Sequence, residues 1–598
     1  MRIKTLVLLS ALLCGIAFAH VGNHPSVHDT VAGVVERMRK EVPAEKLTGL
    51  TPEQAVAILT DAEKEILATE HLSFTVNVPV VVSVYRDAAQ GEIPFWFAMR
   101  GFTKGADTLK IGDDAFEIWT KTFEKGWVGL GVNSVSGAGD HYFVSLAPVN
   151  AGEKVAVTDI YPGQHTAGVL EKGAQPCVES KAAITELPEA LSGQVLIRGD
   201  QSRRRDAQLT NIFKVTDYPS TKTPDDIVLT WSDDPKTTQA IQWRTSTETT
   251  RGTVRYQKKP ASGQADAGAW KTVDAAMDPL ENTILVNDPV CNRYTAYLSG
   301  LEPGTTYLYA VGDGTDNGWL EPAEFTTAPG GIVPFKFIYM GDAQNGLDTW
   351  GKVVHRAFDT EPDAAFYIMA GDLVNRGNER NEWDSLFFNS KGIYDRRQLV
   401  PCIGNHECQG EEGPWMYLEL FDLPENGPKN IPAERAYTFE YSNALFVVLD
   451  SNLPPADQTD WLEKVLAGSK ATWKFVTYHH PAYSSGANRD NLEVRTLWGA
   501  LFDKYHVDLA LQGHDHAYLR TYPMNNEKRV GSPAEGTIYI VSNSGAKFYE
   551  QGQFDYTEVG MTNLSMYQVL DLKIEGDTLT YKAYDIDGKL RDEFVIKK

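Results

Sequence analysis

Between residues 334 and 518, five short apolar runs each end at a polar cluster: FKFIYMGDAQ, AFYIMAGDLVNRGN, LVPCIGNHE, WKFVTYHHP and VDLALQGHDH. Runs of this length are rich in β-branched and aromatic residues. Separated by helical stretches such as DQTDWLEKVLAGS, they predict buried strands of an α/β sheet. Ligands of such sheets sit beyond the carboxyl ends of the strands, where every one of these clusters falls, so the clusters can face one cavity.

Taken singly, the clusters have ordinary readings. Asp342 and Asp372 each follow a glycine at a strand end, where aspartate commonly makes a turn or caps a helix. Asn405 suits a local backbone bond, and His479 a satisfied interior histidine. His514 and His516 are more specific, because one intervening residue in an extended or turning segment lets both imidazoles reach nearby points. The order decides: Gly-Asp-x-x, Gly-Asp-x-x-x, Gly-Asn-His-Glu, Val-x-x-His and Gly-His-x-His, running from Gly341 to His516, resemble the metallophosphoesterase superfamily. Upstream, strands such as DIVLTWSDDPKTTQAIQWRTS predict a β-sandwich. Within it, LSGLEPGTTYLYAVG is similar to a fibronectin type III domain, and the stretch as a whole to the amino-terminal module of purple acid phosphatases. The resemblance therefore covers 224 to 598.

This resemblance implies that Asp342, Asp372 and His516 hold one metal ion and that Asp372, Asn405, His479 and His514 hold a second, with Asp372 bridging. Hard oxygen ligands mixed with imidazoles suit Fe, Zn or Mn rather than a calcium cage. Two such ions, about 3.5 to 4 Å apart, lower the pKa of a shared water and stabilise both oxygens of an in-line displacement at phosphorus. The implied activity is hydrolysis of phosphomonoesters by attack of a metal-bound hydroxide, with His406 helping to protonate the leaving alkoxide. A phosphodiesterase using the same di-metal site is the alternative. A catalytically silent extracellular binding protein is a third reading, set against the presence of all six ligand positions and His406.

The chain departs from the family pattern in several places. Asn375 stands where purple acid phosphatases carry the tyrosine whose phenolate gives the colour, so a colourless or weakly coloured protein is expected. Gln344 replaces the histidine that many non-purple relatives use as a ligand. Gln344 and Asn375 are thus possible weak metal ligands. Arg376 matches an arginine that often contacts phosphate bidentately, and a surface ion pair is its other reading. Asn488 and Arg489 occupy the region where plant purple acid phosphatases carry outer-sphere histidines, and are possible substrate-binding residues. His480 gains no role from adjacency alone.

The remaining chain sets the context. With 80 acidic against 56 basic side chains the formal charge is −24, which argues against nucleic acid as a partner. A phosphorylated small molecule stays allowed, because local metal or arginine charge overrides the global field. Residues 1–19 have the basic start, apolar run and small-residue cleavage pattern of a signal peptide, implying a secreted or periplasmic protein beginning at His20. No later stretch reads as a membrane span. Residues 20–71 read as a helical leader, in which TPEQAVAILTDAEKEIL starts at a Thr51, Pro52, Gln54 capping signal. His20, His24 and His28 suit either a metal or a polar chain end. Residues 72–215 alternate as a β-rich domain whose RGD tripeptide at 198–200 reads as a solvated loop. A fibronectin type III-like domain over 222–330 and a catalytic α/β metallophosphoesterase sandwich over 333–598 complete a multidomain architecture. Four cysteines follow the leader and allow three pairings, and an oxidising compartment permits Cys402 to pair with Cys408.

Overall fold

The computed structural model describes residues 26–598, except 138–139, 164, 178–181, 200–206, 264, 410–412, 488 and 575–576. The leader over 1–19, His20, His24 and Asp200 of the RGD tripeptide lie outside the described residues. The chain divides into a unit through Lys214 and a unit from Val215 onward.

The first unit opens with helices Val27–Glu41, Ala44–Leu47, Pro52–Ile58 and Asp61–Thr69. His28 is exposed on the first of them. TPEQAVAILTDAEKEIL was expected as one helix and is two. Thr51 and Gln54 form the expected capping box, but a second one comes after it: the Thr60 hydroxyl accepts from the Glu63 N–H and the Glu63 carboxylate from the Thr60 N–H. That second cap satisfies donors a continuous helix would have used, so the chain turns at Leu59. The next strands build two antiparallel sheets, a three-stranded one centred on Leu72–Val76 and a seven-stranded one centred on Val80–Asp87. Val80, Val82, Val84, Trp96, Phe97 and Val144 are fully buried in their core.

In the second unit, residues 225–326 form two four-stranded antiparallel sheets. Their inner faces meet through Ile241, Trp243, Val254, Tyr294, Tyr309 and Phe325. The sandwich is tied to the next domain. Trp231 packs against Phe366 and Phe439, with ring centroids 5.5 and 5.3 Å away. The Leu229 N–H donates to the Tyr394 carbonyl at 2.9 Å. Arg244, almost wholly buried, pairs with Asp225 and Asp226 of its own domain and with Asp384 of the next.

Residues 335–598 contain two further large sheets and a two-stranded one, Met524–Asn525 with Lys528–Arg529. The five apolar runs were expected to share one sheet, but they divide between two. Phe335–Met340, Phe366–Met369 and Gln398–Pro401 pair in parallel at one end of a six-stranded sheet, while Trp473–Thr477 and Leu509–Gln512 are parallel neighbours in a seven-stranded one. Phe337, Phe366, Phe446 and Phe475 form an aromatic layer between the sheets, with centroids 5.1 to 5.3 Å apart. The Tyr339 hydroxyl crosses the same layer, accepting from the Gln512 N–H at 2.9 Å and donating to the Gln512 carbonyl. Helices Leu347–Thr360 and Arg380–Asn389 pack beside the first sheet, and Ala456–Gly468 and Ala500–Tyr505 beside the second. Two parallel strand groups so arranged bring their carboxyl ends to one edge of the sandwich.

The allowed Cys402 to Cys408 disulfide is not formed. The buried Cys402 thiol donates to the Leu449 carbonyl at 3.4 Å, whereas the Cys408 sulfur faces the Arg435 guanidinium at 3.7 Å.

Candidate metal centre

Each cluster begins where its strand ends. Four of the side chains with metal-ligating chemistry sit on left-handed backbone: Asp342 at φ 50°, Asp372 at 51°, His514 at 76° and His516 at 46°. Non-glycine residues adopt this region at a cost, and such strain gathers at functional sites where the surroundings hold it in place. Here the hold is backbone to backbone. Asp342 donates to the Gly371 carbonyl at 3.2 Å, Ala343 and Gln344 donate to the Asp372 carbonyl at 3.0 and 3.1 Å, and Gly513 donates to the His479 carbonyl at 3.1 Å.

The glycines at the second, third and fifth clusters have a steric reason. A Cβ on Gly371 would lie 2.5 Å from His479 Nδ1, and one on Gly513 would lie 2.6 Å from Asp342 Oδ2. A Cβ on Gly404 would collide with the Asp372 N–H and carboxylate. The loops pass one another with no room for a side-chain carbon.

These constraints bring the expected ligands together as two triads that share one member. Ligand atoms of Asp342, Asp372 and His516 lie within 4.8 Å of one another, and so do those of Asp372, His479 and His514. Asn405 joins the second group, its Oδ1 lying 3.1 Å from His479 Nε2 and 3.0 Å from His514 Nδ1. The outer hydrogen bonds select the inward nitrogens. His479 Nδ1 donates to the Ala370 carbonyl at 2.9 Å and His516 Nδ1 donates to Asn543 Oδ1 at 3.2 Å, so each presents Nε2, whereas His514 presents Nδ1.

The donor set fits a pair of cations. The inward atoms of Asn405, His479 and His514 converge within 3.2 Å, beside two buried carboxylates that no lysine or arginine neutralises among the described residues. Gln344 Oε1 is buried without a partner, while its amide nitrogen donates to Asp372 Oδ2 at 2.8 Å. Burial pushes the Asp342 carboxyl well up, with the Asp372 charge adding to the effect. For Asp372 burial acts in the same direction, but His479 and His406 hold it below the usual range. Burial disfavours imidazolium at His479 too, yet the Asp372 charge raises it to about 10, so a proton occupies the place a cation would take. His514 and His516 lie below the usual range, chiefly from burial, the latter at about 4, which leaves them neutral and ready to ligate.

The other expected residues differ in what they touch. His406 Nδ1 donates to the Asn375 carbonyl at 2.6 Å, which turns Nε2 toward Asp372 Oδ2, 3.9 Å away. Arg376 forms an ion pair with Glu379 at 2.8 Å, the second of its two readings. Arg489 braces the histidine loop, with Nε on Asp515 at 2.6 Å and Nη2 on the His514 carbonyl at 3.1 Å. Asn375 accepts the His406 Nδ1 hydrogen bond at its carbonyl, and its N–H donates to Glu382 at 2.6 Å. His480 is paired with the Ser451 hydroxyl at 2.9 Å, and burial lowers it to about 3. Asn488 lies outside the described residues.

Sequence reasoning missed four supporting residues, Asn543, Lys547, Tyr549 and Glu407. Asn543 orients His516 through its amide oxygen. Lys547 and Arg489 lie over one ring, that of Tyr549, at 5.0 and 5.1 Å, and the edge of that ring meets His516. Glu407, inside the GNHE motif, is fully buried and accepts from four backbone N–H groups: Asp372 at 3.0 Å, Leu373 at 2.9 Å, Val374 at 3.2 Å and Gly404 at 2.7 Å. It therefore splices the second and third ligand loops. Burial and the Asp372 charge push its carboxyl up to about 8, opposed by these bonds and by His479. Glu407→Ala leaves the four donors unpaired and is expected to destabilise the second unit by about 4 kcal/mol. Chemical denaturation of the metal-free chain checks this, and Glu407→Gln, which restores one acceptor oxygen, should fall between.

Comparison with known proteins agrees with this geometry. Residues 224–327 match the family model of the purple acid phosphatase N-terminal domain, and residues 335–518 match that of the calcineurin-like phosphoesterase. A probable inactive purple acid phosphatase 1 of Arabidopsis thaliana is 26% identical over 363 residues, 51% of this chain and 57% of that protein. The Fe(3+)-Zn(2+) purple acid phosphatase 12 of the same plant is 25% identical over 346 residues, 53% of this chain and 68% of that one. The alignment with the first of these relatives spans little more than half of that protein's length. The structure of a purple acid phosphatase from yellow lupin (Lupinus luteus) seeds shares the fold, with a TM-score of 0.54 and 15% identity across 89% of this chain and 94% of that one. With a purple acid phosphatase N-terminal domain leading directly into a calcineurin-like phosphoesterase domain, the chain is a purple acid phosphatase-like member of the metallophosphoesterase superfamily.

Proposed function

We propose that the protein is an exported, binuclear metal-dependent phosphatase that hydrolyses phosphomonoesters. The observation that carries the reading is the pair of ligand triads meeting at Asp372, with His406 beside the shared carboxylate. Two transition-metal ions held there, drawn from Fe, Zn or Mn, would supply the charge that acidifies a shared water and stabilises the entering and leaving oxygens at phosphorus. The chain's own residues do the rest. Asp372, Asp342 and the three imidazoles fix the reaction centre, and the strained loops behind them hold those groups before substrate arrives. His406, its Nδ1 committed to the Asn375 carbonyl, offers Nε2 to hold the proton that the leaving alkoxide needs. Arg489 and Lys547, over the Tyr549 ring, draw an anion toward the His516 side.

The test is metal analysis of the purified protein followed by hydrolysis of p-nitrophenyl phosphate and bis-p-nitrophenyl phosphate across pH. About two ions per chain and cleavage of the monoester are expected. Cleavage of the diester alone would replace the reading with the phosphodiesterase alternative, and cleavage of neither by the loaded protein would favour a silent binding role. Because Asn375 cannot supply a phenolate, the iron-loaded protein should lack the visible charge-transfer band of a tyrosine-ligated ferric ion. Export rests on the composition of residues 1–19, and protein recovered from an exporting host should begin at His20. The fibronectin type III-like reading of the sandwich belongs to the same proposal, supported by its two antiparallel sheets.

A further inference from the structure

A cavity of about 480 Å³ lies beside the metal centre, within the range of small-molecule sites. Two of its lining residues are continuous with the ligand loops: Asn345 follows Asp342 by three positions, and Asn375 follows Asp372 by three. Asn375 also connects the cavity to the proton donor, because its carbonyl receives the His406 Nδ1 hydrogen bond at 2.6 Å.

The opposite wall is the segment entering the second unit, with Val215, Asp217 and Tyr218. It is pinned from behind. Thr216 donates to the buried Asp384 carboxylate at 2.6 Å, the Tyr218 carbonyl accepts from Arg244 at 2.8 Å, and the Tyr218 ring stacks on Phe388 at 4.0 Å. This wall precedes residue 224, where the match to the N-terminal family model begins. The cavity is therefore built on rigid supports.

Its chemistry is selective. Amides line it at Asn345, Asn375, Asn381 and Asn389, hydroxyls at Ser385 and Tyr218, and carboxylates at Asp217, Asp348 and Glu382. Asn381 Oδ1 is buried there without a hydrogen-bond partner. No lysine or arginine is among the described lining residues. Carboxylates without a cation repel a second phosphate, whereas alternating amide, hydroxyl and carboxylate groups match vicinal hydroxyls, each of which both donates and accepts.

We infer that this cavity is the leaving-group pocket, and that it takes an uncharged polyhydroxylated alcohol: the substrate is a sugar or polyol carrying a single phosphate. The inference rests on the proposed phosphomonoesterase activity. In the reaction the ester P–O bond breaks, a water oxygen forms the new bond to phosphorus, the His406 proton ends on the alkoxide, and the proton the water gives up reprotonates His406 through solvent, giving the free sugar and inorganic phosphate.

The experiment uses the full, metal-loaded chain with p-nitrophenyl phosphate, glucose 6-phosphate, fructose 1,6-bisphosphate and phosphocholine. Glucose 6-phosphate should exceed both fructose 1,6-bisphosphate and phosphocholine in kcat/KM by about tenfold, a difference of about 1.4 kcal/mol. Asp348 is exposed in the first turn of its helix, so charge reversal there is tolerable for folding. Asp348→Lys should move the ratio of fructose 1,6-bisphosphate to glucose 6-phosphate toward the bisphosphate by about tenfold or more. A carboxylate serving only the helix dipole would change all substrates alike, and that outcome overturns the inference. So does a wild-type preference for phosphocholine or for the bisphosphate. If p-nitrophenyl phosphate is hydrolysed while glucose 6-phosphate is neither cleaved nor bound in calorimetry, this inference alone falls. If no ester is hydrolysed, the phosphatase reading falls and takes the inference with it.

Discussion

Asp372→Ala should leave the purified protein without either ion and lower kcat on an aryl phosphate by about a thousandfold or more, beyond what loss of a single electrostatic group costs. Asp372 is the member common to both triads, and it also receives the His406 N–H at 2.9 Å and the Gln344 amide at 2.8 Å. Removing it empties two coordination spheres and frees two neighbouring loops. Asp342→Ala is the informative contrast, because it takes one ligand from one triad and should leave the His479 and His514 side able to hold a single ion. Metal content and steady-state kinetics on the two variants measure this difference directly. Two ions retained in Asp372→Ala would refute the bridging arrangement.

Gly404→Ala is the second large effect expected, and it adds only one methyl group. The new carbon would fall on the Asp372 N–H and carboxylate, and neither is the end of a flexible side chain that can swing away. Relief requires moving the loop that carries Asn405 or the one that carries Asp372, and Glu407 binds both. A destabilisation of about 3 kcal/mol together with loss of metal binding is expected. Gly468→Ala is the matched control. It sits at the end of the Ala456–Gly468 helix with nothing within 4 Å of its added carbon, so its denaturation midpoint should hold or rise slightly. Equal behaviour of the two variants would show that the glycine contacts do not constrain the site.

The side chains that gather at the candidate site were legible in the sequence because the clusters occur in the order of a known family, each with suitable side-chain chemistry just past an apolar run. His514 and His516 illustrate it, since their spacing needs no partner to be read. What could not be read depends on partners remote in sequence. An apolar run does not say which strand it pairs with, so the division of the five runs between two sheets was hidden. Glu407 stood in plain view inside its motif, but its partners are backbone N–H groups, which nearly every residue possesses. Asn543 carries no signal apart from its place after an apolar strand. One misreading was avoidable. The Thr60, Glu63 spacing repeats the capping pattern recognised at Thr51 and Gln54. The β-rich character of residues 72–215 was visible in its alternation, whereas its division into three-stranded and seven-stranded sheets was not.

Arg244 has a consequence for anyone wishing to use the hydrolase module in isolation. Its guanidinium belongs to the sandwich, yet it neutralises Asp384, a carboxylate buried in the adjoining domain. A truncation beginning near residue 333 would take Arg244 away from that carboxylate and leave Arg380 as its ion-pair partner among the described residues, a destabilising loss from a buried network. It would also uncover Phe366 and Phe439 where Trp231 had shielded them. The hydrolase is thus not a portable cassette: grafts onto other scaffolds, and libraries built by domain shuffling, must carry the upstream sandwich as part of the same heritable block.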